Sequence, residues 1–307
     1  MSDFFIFGSK SNQNSQFSTF NFKSSIMTQL LWKPVSDNLS QNIKNYILQN
    51  SLTDVYIVDF CLNSNDDSAK YVYMKWKYAK SLWINMIWIF EYSDISYIYD
   101  QIEAYNSDPK CLGILLQMPL PDDLKIFQKQ ILQKININKD IDWLTSWLFG
   151  AAALWYSEVL PATAAAVINI LKYYKLSYIK GQTILIIWQS NIVGKPLVNA
   201  CINMWATVIS ANIYTHKTKL VQYCQIADII ISATGDLQFL NDEYIYTDRE
   251  QILIDVWFGI KDGKMVGDID FDKINLTNKI YTPVPWGVWP VTIASLFDNI
   301  VKLNTIL

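Results

Sequence analysis

GQTILIIWQSNIVGKPLVNACINMW, residues 181–205, joins a short apolar run to a stretch with helical spacing through a brief turn. The run Thr183–Ile187 is rich in β-branched residues, which favours a buried strand. The turn Trp188–Gly194 precedes apolar residues three and four positions apart, which favours a helix. A strand, a short turn and a helix in this order are the unit from which nucleotide-binding α/β domains are built.

The residues around this unit continue the alternation of strands and helices. Before it, TAAAVINILKYYKL (163–176) has helical spacing, with Pro161 at its start and Thr163 as its cap. After it come three short apolar runs, ATVISAN (206–212), ADIIISATG (227–235) and ILIDVWF (252–258). Residues 148–285 are therefore predicted to form a Rossmann-type domain with a doubly wound parallel sheet.

The first part of the chain alternates in the same way, from a helix that starts at Ser36 and is capped by Ser36 or Asp37. The pattern then predicts strands over 53–60 and 111–121 and a helix over 68–82. Such alternation implies a parallel sheet with crossover connections. The predicted fold class is therefore α/β, with a first domain over 27–147 and the Rossmann-type domain second. Residues 1–26 lack periodicity and are predicted to be a disordered extension or a misassigned start.

Size and charge narrow the class of function. A chain of 307 residues favours two domains, and a net charge of -3 gives no basic excess for nucleic acid or an anionic membrane. The longest apolar stretch, Ser81–Phe90, is far shorter than the roughly 20 residues that cross a bilayer. The sequence predicts a soluble cytoplasmic protein that binds a small molecule and neither nucleic acid nor membrane.

The metal-ligating residue types are few and scattered. Cys61, Cys111, Cys201 and Cys224 have no CxxC spacing, and His216 is the only histidine. We therefore predict no metal, buried thiols in a reducing compartment and an exposed His216.

Four stretches carry residues suited to chemistry. In YVYMK (71–75), Tyr71 and Lys75 share one helix face and can flank a ligand, although an ordinary amphipathic helix gives the same spacing. KDIDW (139–143) brings Asp142 into a loop, where solvated charge is the alternative. Gln117 ends a buried strand, where open α/β sheets bind ligands. The turn WQSNIVG (188–194) can approach a pyrophosphate, but with one glycine it also fits a plain strand-to-helix turn.

These motifs, in this order, resemble the bifunctional methylenetetrahydrofolate dehydrogenase and methenyltetrahydrofolate cyclohydrolase family. The resemblance runs from about Leu30 to Leu303 and rests on YVYMKWK, GILLQMPLP, KDIDWLTS, LPAT, SNIVGKP, GKMVGDIDFD and YTPVPWGVWPVT. It implies an enzyme of one-carbon metabolism and purine biosynthesis, a homodimer, and a cleft between two domains. It also implies that a C-terminal helix, about 291–303, returns to the first domain, so that 286–307 complete it.

The same resemblance implies roles for individual residues. Lys75 is implied as the catalytic lysine, Gln117 as its hydrogen-bonding partner, Asp142 as the carboxylate that grips the pterin and Tyr71 as the aromatic platform. The remaining substrate-binding positions are Pro283, Val284, Pro285 and Gly287. The implied cofactor-binding positions are Trp188, Gln189, Ser190, Gly194, Ile213, Thr234 and Gly235. NADP is the implied cofactor, and NAD is the alternative because Gln189 and Ile213 carry no positive charge; Lys217 or Lys219 would have to compensate.

The tryptophans depart from the family in one direction. The family has glycine where this chain has Trp83, Trp143, Trp188, Trp205, Trp286 and Trp289, and glycine is plausible at Trp32 and Trp257. With 12 tryptophans added to the 10 glycines, 22 of 307 residues would be glycine, about the ordinary 7%. We therefore hypothesise that the codons are UGA, which some bacterial lineages read as glycine.

Two other readings compete with the folate enzyme. If the tryptophans are real, the alternative is an inactive or non-catalytic nucleotide-binding homologue, because bulky side chains would block the phosphate turn. A two-domain dehydrogenase of the shikimate type would share the architecture. It would not account for YVYMK, LLQMPLP and PVPWGV together.

Overall fold

The structure is a computed structural model that describes residues 28–63, 66–246 and 248–306; the side chains of residues 66–71, 305 and 306 are outside the described part. The predictions for residues 1–26 and for the side chain of Tyr71 therefore lie outside the described residues. Two parallel sheets form the frame of the chain, which confirms the predicted α/β class with two domains.

The first domain is built on a three-stranded parallel sheet in the order β3-β2-β4. Its central strand β2 pairs with both neighbours, so its residues are covered on both edges. The strands are β2 (Tyr56–Phe60), β3 (Asn85–Ile89) and β4 (Cys111–Leu116), and the helices are α1 (Trp32–Gln49), α2 (Asp66–Ser81), α3 (Ile95–Ser107), α4 (Gln128–Lys134) and α5 (Ser146–Ala153).

The second sheet has six strands in the order β1-β11-β8-β7-β5-β6, and every neighbouring pair is parallel. From β5 the chain moves outward to β6 and then returns to β7 on the other side, which makes the β5–β7 boundary a topological switch point. The elements are β1 (Thr28–Gln29), α6 (Ala162–Tyr173), β5 (Thr183–Ile187), α7 (Gly194–Asn203), β6 (Thr207–Ala211), α8 (Lys217–Ile226), β7 (Ile229–Ser232), β8 (Gln251–Asp255), the antiparallel hairpin β9 (Phe258–Lys261) and β10 (Lys264–Gly267), and β11 (Lys279–Tyr281).

The last helix, α9 (Trp289–Ile306), carries the chain back to the first domain, as predicted. It packs against α1, α2 and α6 and buries Phe297 and Ile300. Its Asn299 Nδ2 donates hydrogen bonds to the backbone oxygens of Ile141, at 2.9 Å, and Leu160, at 3.0 Å. These bonds tie α9 to the segment that carries Asp142.

Two predicted helix caps are wrong. Helix α1 begins at Trp32 rather than Ser36, and neither Ser36 nor Asp37 caps it. Pro34 lies in its first turn, where the missing N–H costs no hydrogen bond. Helix α6 has Pro161 at its N-cap position, and Thr163 lies inside the first turn.

The remaining general predictions concern cysteine, histidine, metal and membrane. All four cysteines are buried and free, and burial raises the pKa of each thiol. His216 is exposed, as predicted, and its ring accepts a hydrogen bond from the Thr218 amide as the N-cap of α8. Within the described residues, no group of side chains has the composition of a metal site and no helix meets the length and hydropathy needed to span a membrane.

Candidate functional site

Lys75 lies on α2, and its side chain is almost fully buried, with 2% of its surface exposed. Its Nζ donates a hydrogen bond to Gln117 Oε1 at 2.8 Å and makes an ion pair with the carboxylate of Asp59 in β2. Gln117 follows β4 directly, and its backbone N–H donates to Phe60 O at 3.0 Å. Because β2 and β4 are paired in the sheet, the two acceptors around Lys75 keep a fixed separation.

Asp142 lies in the loop before α5, where its carboxylate interacts electrostatically with the Lys75 ammonium. Its pKa is raised to about 7, mainly by burial; the Asp140 carboxylate adds to the rise and the Lys75 ammonium opposes it. Asp140 fixes the loop by accepting hydrogen bonds from the backbone N–H groups of Leu144, at 3.2 Å, and Thr145, at 2.8 Å. The structure therefore brings Lys75, Gln117 and Asp142 into one partly closed site.

Asp59 is not among the site residues predicted from the sequence. This residue is fully buried, and its Oδ1 has no hydrogen-bond partner among the described residues. The available signal was a carboxylate within the otherwise apolar strand 56–60, since a buried charge requires a partner of opposite sign.

The loop that carries Pro283, Val284, Pro285 and Gly287 connects β11 to α9. A Cβ on Gly287 would lie 2.4 Å from the oxygen of Pro283, so only glycine fits this turn. Since β11 belongs to the second sheet and α9 packs against α2, the loop lies between the nucleotide-binding sheet and the helix of Lys75. This location suits contact with a ligand shared by the two domains.

The turn after β5 lies at the carboxyl edge of the second sheet. A Cβ on Gly194 would be 1.8 Å from the backbone oxygen of Trp188, so the turn closes only with glycine there. Ser190 Oγ accepts hydrogen bonds from the N–H groups of Val193, at 3.1 Å, and Gly194, at 3.4 Å. The backbone thus fits a dinucleotide phosphate at the start of α7, although the Trp188 side chain, 36% exposed, stands at the same edge.

A neutral polar cluster lies beside this turn, at the end of β6. Gln189 Nε2 donates to Ser210 Oγ at 3.0 Å, and Asn212 Nδ2 donates to Gln189 Oε1 at 2.9 Å. Ile213 follows Asn212 and is 76% exposed. Lys217, considered above as a compensating cation, forms an ion pair with Glu243.

Thr234 and Gly235 follow β7 on the other side of the switch point. Their backbone N–H groups donate to the Asp268 carboxylate at 2.6 and 2.9 Å, and Ser232 Oγ donates to it at 2.7 Å. Asp268 is fully buried, and these hydrogen bonds fix the loop that follows β7 at the carboxyl edge of the sheet. Asp268 lies in the motif GKMVGDIDFD, but no role for it is predicted from the sequence.

Five of the six tryptophans at family glycine positions have a positive φ angle. The angles are 63° at Trp83, 60° at Trp143, 105° at Trp188, 65° at Trp205 and 77° at Trp286. Trp289, the sixth, begins α9 and does not share the feature, whereas Trp155, at 62°, does. Positive φ is the region that glycine occupies without steric cost, so the backbone conformation favours glycine at these positions.

The second domain has a switch point suited to a dinucleotide, and the first domain has a buried lysine. The loop from β11 to α9 lies between them. This arrangement defines the class of two-domain, dinucleotide-dependent enzymes. The family model for the catalytic domain of tetrahydrofolate dehydrogenase/cyclohydrolase matches residues 30–142, and the model for its NAD(P)-binding domain matches residues 161–306. The chain belongs to this family and is an NAD(P)-dependent methylenetetrahydrofolate dehydrogenase and methenyltetrahydrofolate cyclohydrolase.

Individual relatives agree over most of their length. The chain is 34% identical to Bifunctional protein FolD of Lactobacillus acidophilus over 80% of this chain and 86% of that protein. It is 34% identical to Bifunctional protein FolD of Clostridium tetani over 88% of this chain and 97% of that protein. The crystal structure of the bifunctional FolD enzyme from Campylobacter jejuni superposes with a TM-score of 0.82, at 30% identity, over 91% of this chain and 99% of that one.

Proposed function

We propose that one site, centred on Lys75, serves both reactions of this chain. The first converts 5,10-methylenetetrahydrofolate to 5,10-methenyltetrahydrofolate, and the second hydrolyses that cation to 10-formyltetrahydrofolate. The observation that carries the proposal is the buried Lys75 ammonium held between Asp59 and Gln117 next to Asp142. Family membership lends no support to the alternative of an inactive homologue.

In the hydrolysis, Lys75 moves the proton of the attacking water. Water adds its oxygen to the cationic methenyl carbon and loses a proton, which a neutral lysine amine can accept. The bond between that carbon and N5 then breaks as the hydroxyl loses its proton and N5 gains one, which leaves the formyl group on N10. Gln117 orients Nζ through its Oε1, and its own Nε2 donates to the backbone oxygen of Met118 at 3.1 Å. Because the substrate is a cation, a lysine whose charge is compensated by Asp59 does not repel it.

Asp142, Tyr71 and the loop after β11 bind and orient the folate. A carboxylate at Asp142 offers paired acceptors to the amino-pyrimidine edge of the pterin, and an aromatic ring at Tyr71 offers a stacking surface. The loop that contains Pro283, Val284, Pro285 and Gly287 would bring its backbone close to both the folate and the nicotinamide.

The pH dependence of folate binding should follow the carboxylate of Asp142. Since its pKa is about 7, it is increasingly protonated below that pH and cannot then accept both hydrogen bonds. The KM for the folate should therefore rise by roughly tenfold between about pH 8 and about pH 6. Steady-state kinetics of Asp142→Asn should give a higher KM without this trend, and a native KM that is flat with pH would contradict the role.

A nicotinamide cofactor bound at the carboxyl edge of β5, β6 and β7 would supply the hydride acceptor. The pyrophosphate and adenosine ribose would be held by Trp188, Gln189, Ser190 and Gly194. The rest of the cofactor site would be lined by Ile213, Thr234 and Gly235. NADP is the proposed cofactor and NAD is the alternative. Gln189, Ser210 and Asn212, which are hydrogen-bonded to one another, could donate to a 2′-phosphate but would bring no positive charge to it.

This neutral cluster predicts a variant that separates the two cofactors. Gln189→Arg should raise kcat/KM with NADP by about tenfold or more, because a guanidinium pairs with the 2′-phosphate. The value with NAD should change little. Initial rates of NAD(P)H formation with each cofactor measure both quantities, and Asn191→Arg, two residues further along the turn, is the matched control. Equal gains with NAD and NADP would contradict the assignment.

The division of the chain follows from the same roles. We assign residues 27–147, completed by 286–307, to folate binding and catalysis, and residues 148–285 to cofactor binding. Helix α5 spans the boundary at 147 and packs against α7, and β1 joins the edge of the second sheet, so both segments connect the domains. A homodimer in the cytoplasm, without nucleic acid, membrane or metal, completes the proposal.

A further inference from the structure

Asp59 is a buried carboxylate in contact with Lys75, and the roles implied by the family assign it no function. It lies in β2, paired in register with Trp88 of β3 and Leu115 of β4. Side chains alternate along a strand, so Asp59 shares a face with Ile57, which belongs to the main hydrophobic core. An apolar side chain would fill this position without desolvating a carboxylate, and the carboxylate therefore needs a functional reason.

Its contact with Lys75 supplies that reason. Asp59 Oδ2 and Gln117 Oε1 both accept hydrogen bonds from Nζ, which directs two of the three N–H bonds of the ammonium. Both acceptors are anchored in neighbouring strands of one sheet, because the Gln117 amide donates to the backbone of Phe60, the residue after Asp59. Nζ is consequently held by two side chains whose backbones are fixed by neighbouring strands of the sheet.

We propose, building on the role of Lys75 given above, that Asp59 is a positioning residue for the hydrolysis, which holds Nζ against Gln117 and compensates its charge. The pair is neutral overall, so a cationic folate meets no net positive charge from it. The other titratable groups around the pair are Asp142, with Asp140 behind it, and Cys61. Burial raises the pKa of the Cys61 thiol to about 12, so it adds no charge near neutral pH.

The test is the kinetics of the hydrolysis by Asp59→Asn, which keeps the shape of the side chain and removes its charge. We expect kcat to fall by about tenfold or more while KM changes by less than about threefold, since the variant alters proton transfer rather than binding. An unchanged kcat, or a KM that rises as far as kcat falls, would overturn the proposal.

Ile57→Ala is the matched control for a merely structural effect. Ile57 lies on the same strand and the same face, and its truncation weakens the core without touching the ion pair. This variant should melt at a lower temperature and keep the native kcat for the hydrolysis. The proposal is overturned if Ile57→Ala lowers kcat as far as Asp59→Asn does.

A thermal double-mutant cycle tests the pair even if Asp59→Asn folds poorly, and it needs no activity. Asp59→Leu and Lys75→Met each leave one buried charge without its partner, whereas the double variant removes both. The double variant should therefore melt above either single variant, and additive losses would overturn the pairing. Because the cycle is independent of catalysis, it separates failure of the pair from failure of the role proposed for Lys75.

Discussion

Lys75→Met should abolish the hydrolysis of methenyltetrahydrofolate, with kcat reduced by at least about a hundredfold. General acid–base catalysis by a positioned side chain contributes about 10²–10⁴-fold, and Lys75 is the group that Gln117 and Asp59 hold in place. Dehydrogenation should lose less, because hydride transfer requires no proton transfer by lysine. The measurement follows the loss of the methenyl chromophore for the hydrolysis and the formation of NAD(P)H for the oxidation.

Two further variants make the result specific. Lys77→Met removes an exposed charge from the same helix and should leave both rates close to native. Lys75→Arg keeps the charge beside Asp59, which protects the fold, but a guanidinium stays protonated and cannot accept the proton of water. Hydrolysis by Lys75→Arg at the native rate would exclude Lys75 as the base.

The sheet framework could be predicted from the sequence because buried parallel strands are continuous apolar runs. The run 183–187 predicted β5 with its observed bounds, since Gly181 before it and the polar turn after it leave no other boundary. The run 111–121 predicted β4 but extended past its true end at Leu116, because apolar residues continue beyond the last paired position. The apolar composition of a run therefore predicts that a strand is present better than it predicts the residue at which the strand ends.

The site could be predicted only in part, since its geometry depends on contacts between distant segments. YVYMK identifies a helix with a lysine, but the partner of that lysine comes from a strand sixteen positions earlier and faces it only after the sheet has formed. The raised pKa of Asp142 likewise depends on burial by the folded domain. Asp268, which fixes Thr234 and Gly235, is 33 residues away from the loop that it holds.

The tryptophans connect the sequence and the structure most directly. Their positions were singled out by motif, and the backbone independently gives five of the six a positive φ. A non-glycine residue in this region costs about 1–3 kcal/mol unless its surroundings compensate. Trp143 adds a second cost, since it is buried and its Nε1 has no hydrogen-bond partner among the described residues. The codons at the twelve positions test the decoding hypothesis, and UGG there would refute it.

Trp188→Gly should tighten dinucleotide binding by about tenfold or more, which corresponds to about 1.4 kcal/mol. The substitution removes the strain of a φ of 105° and clears an indole from the edge where the pyrophosphate is proposed to bind, at the start of α7. Titration of the purified protein with NADP and with NAD, followed by fluorescence or calorimetry, gives the two dissociation constants. Both should fall together, because the pyrophosphate is common to the two cofactors.

Two tryptophans away from the cofactor edge separate backbone strain from loss of the side chain. Trp205 has a φ of 65° and is 74% exposed, so Trp205→Gly should raise the melting temperature by roughly 2–4 °C per kcal/mol of strain relieved. Trp76 lies inside α2, where Lys80 Nζ lies 4.2 Å from its ring centroid, so Trp76→Gly should lower the melting temperature. If both glycine variants are destabilised alike, the positive φ angles carry no strain, and the tighter binding expected of Trp188→Gly would have to come from the cleared indole alone.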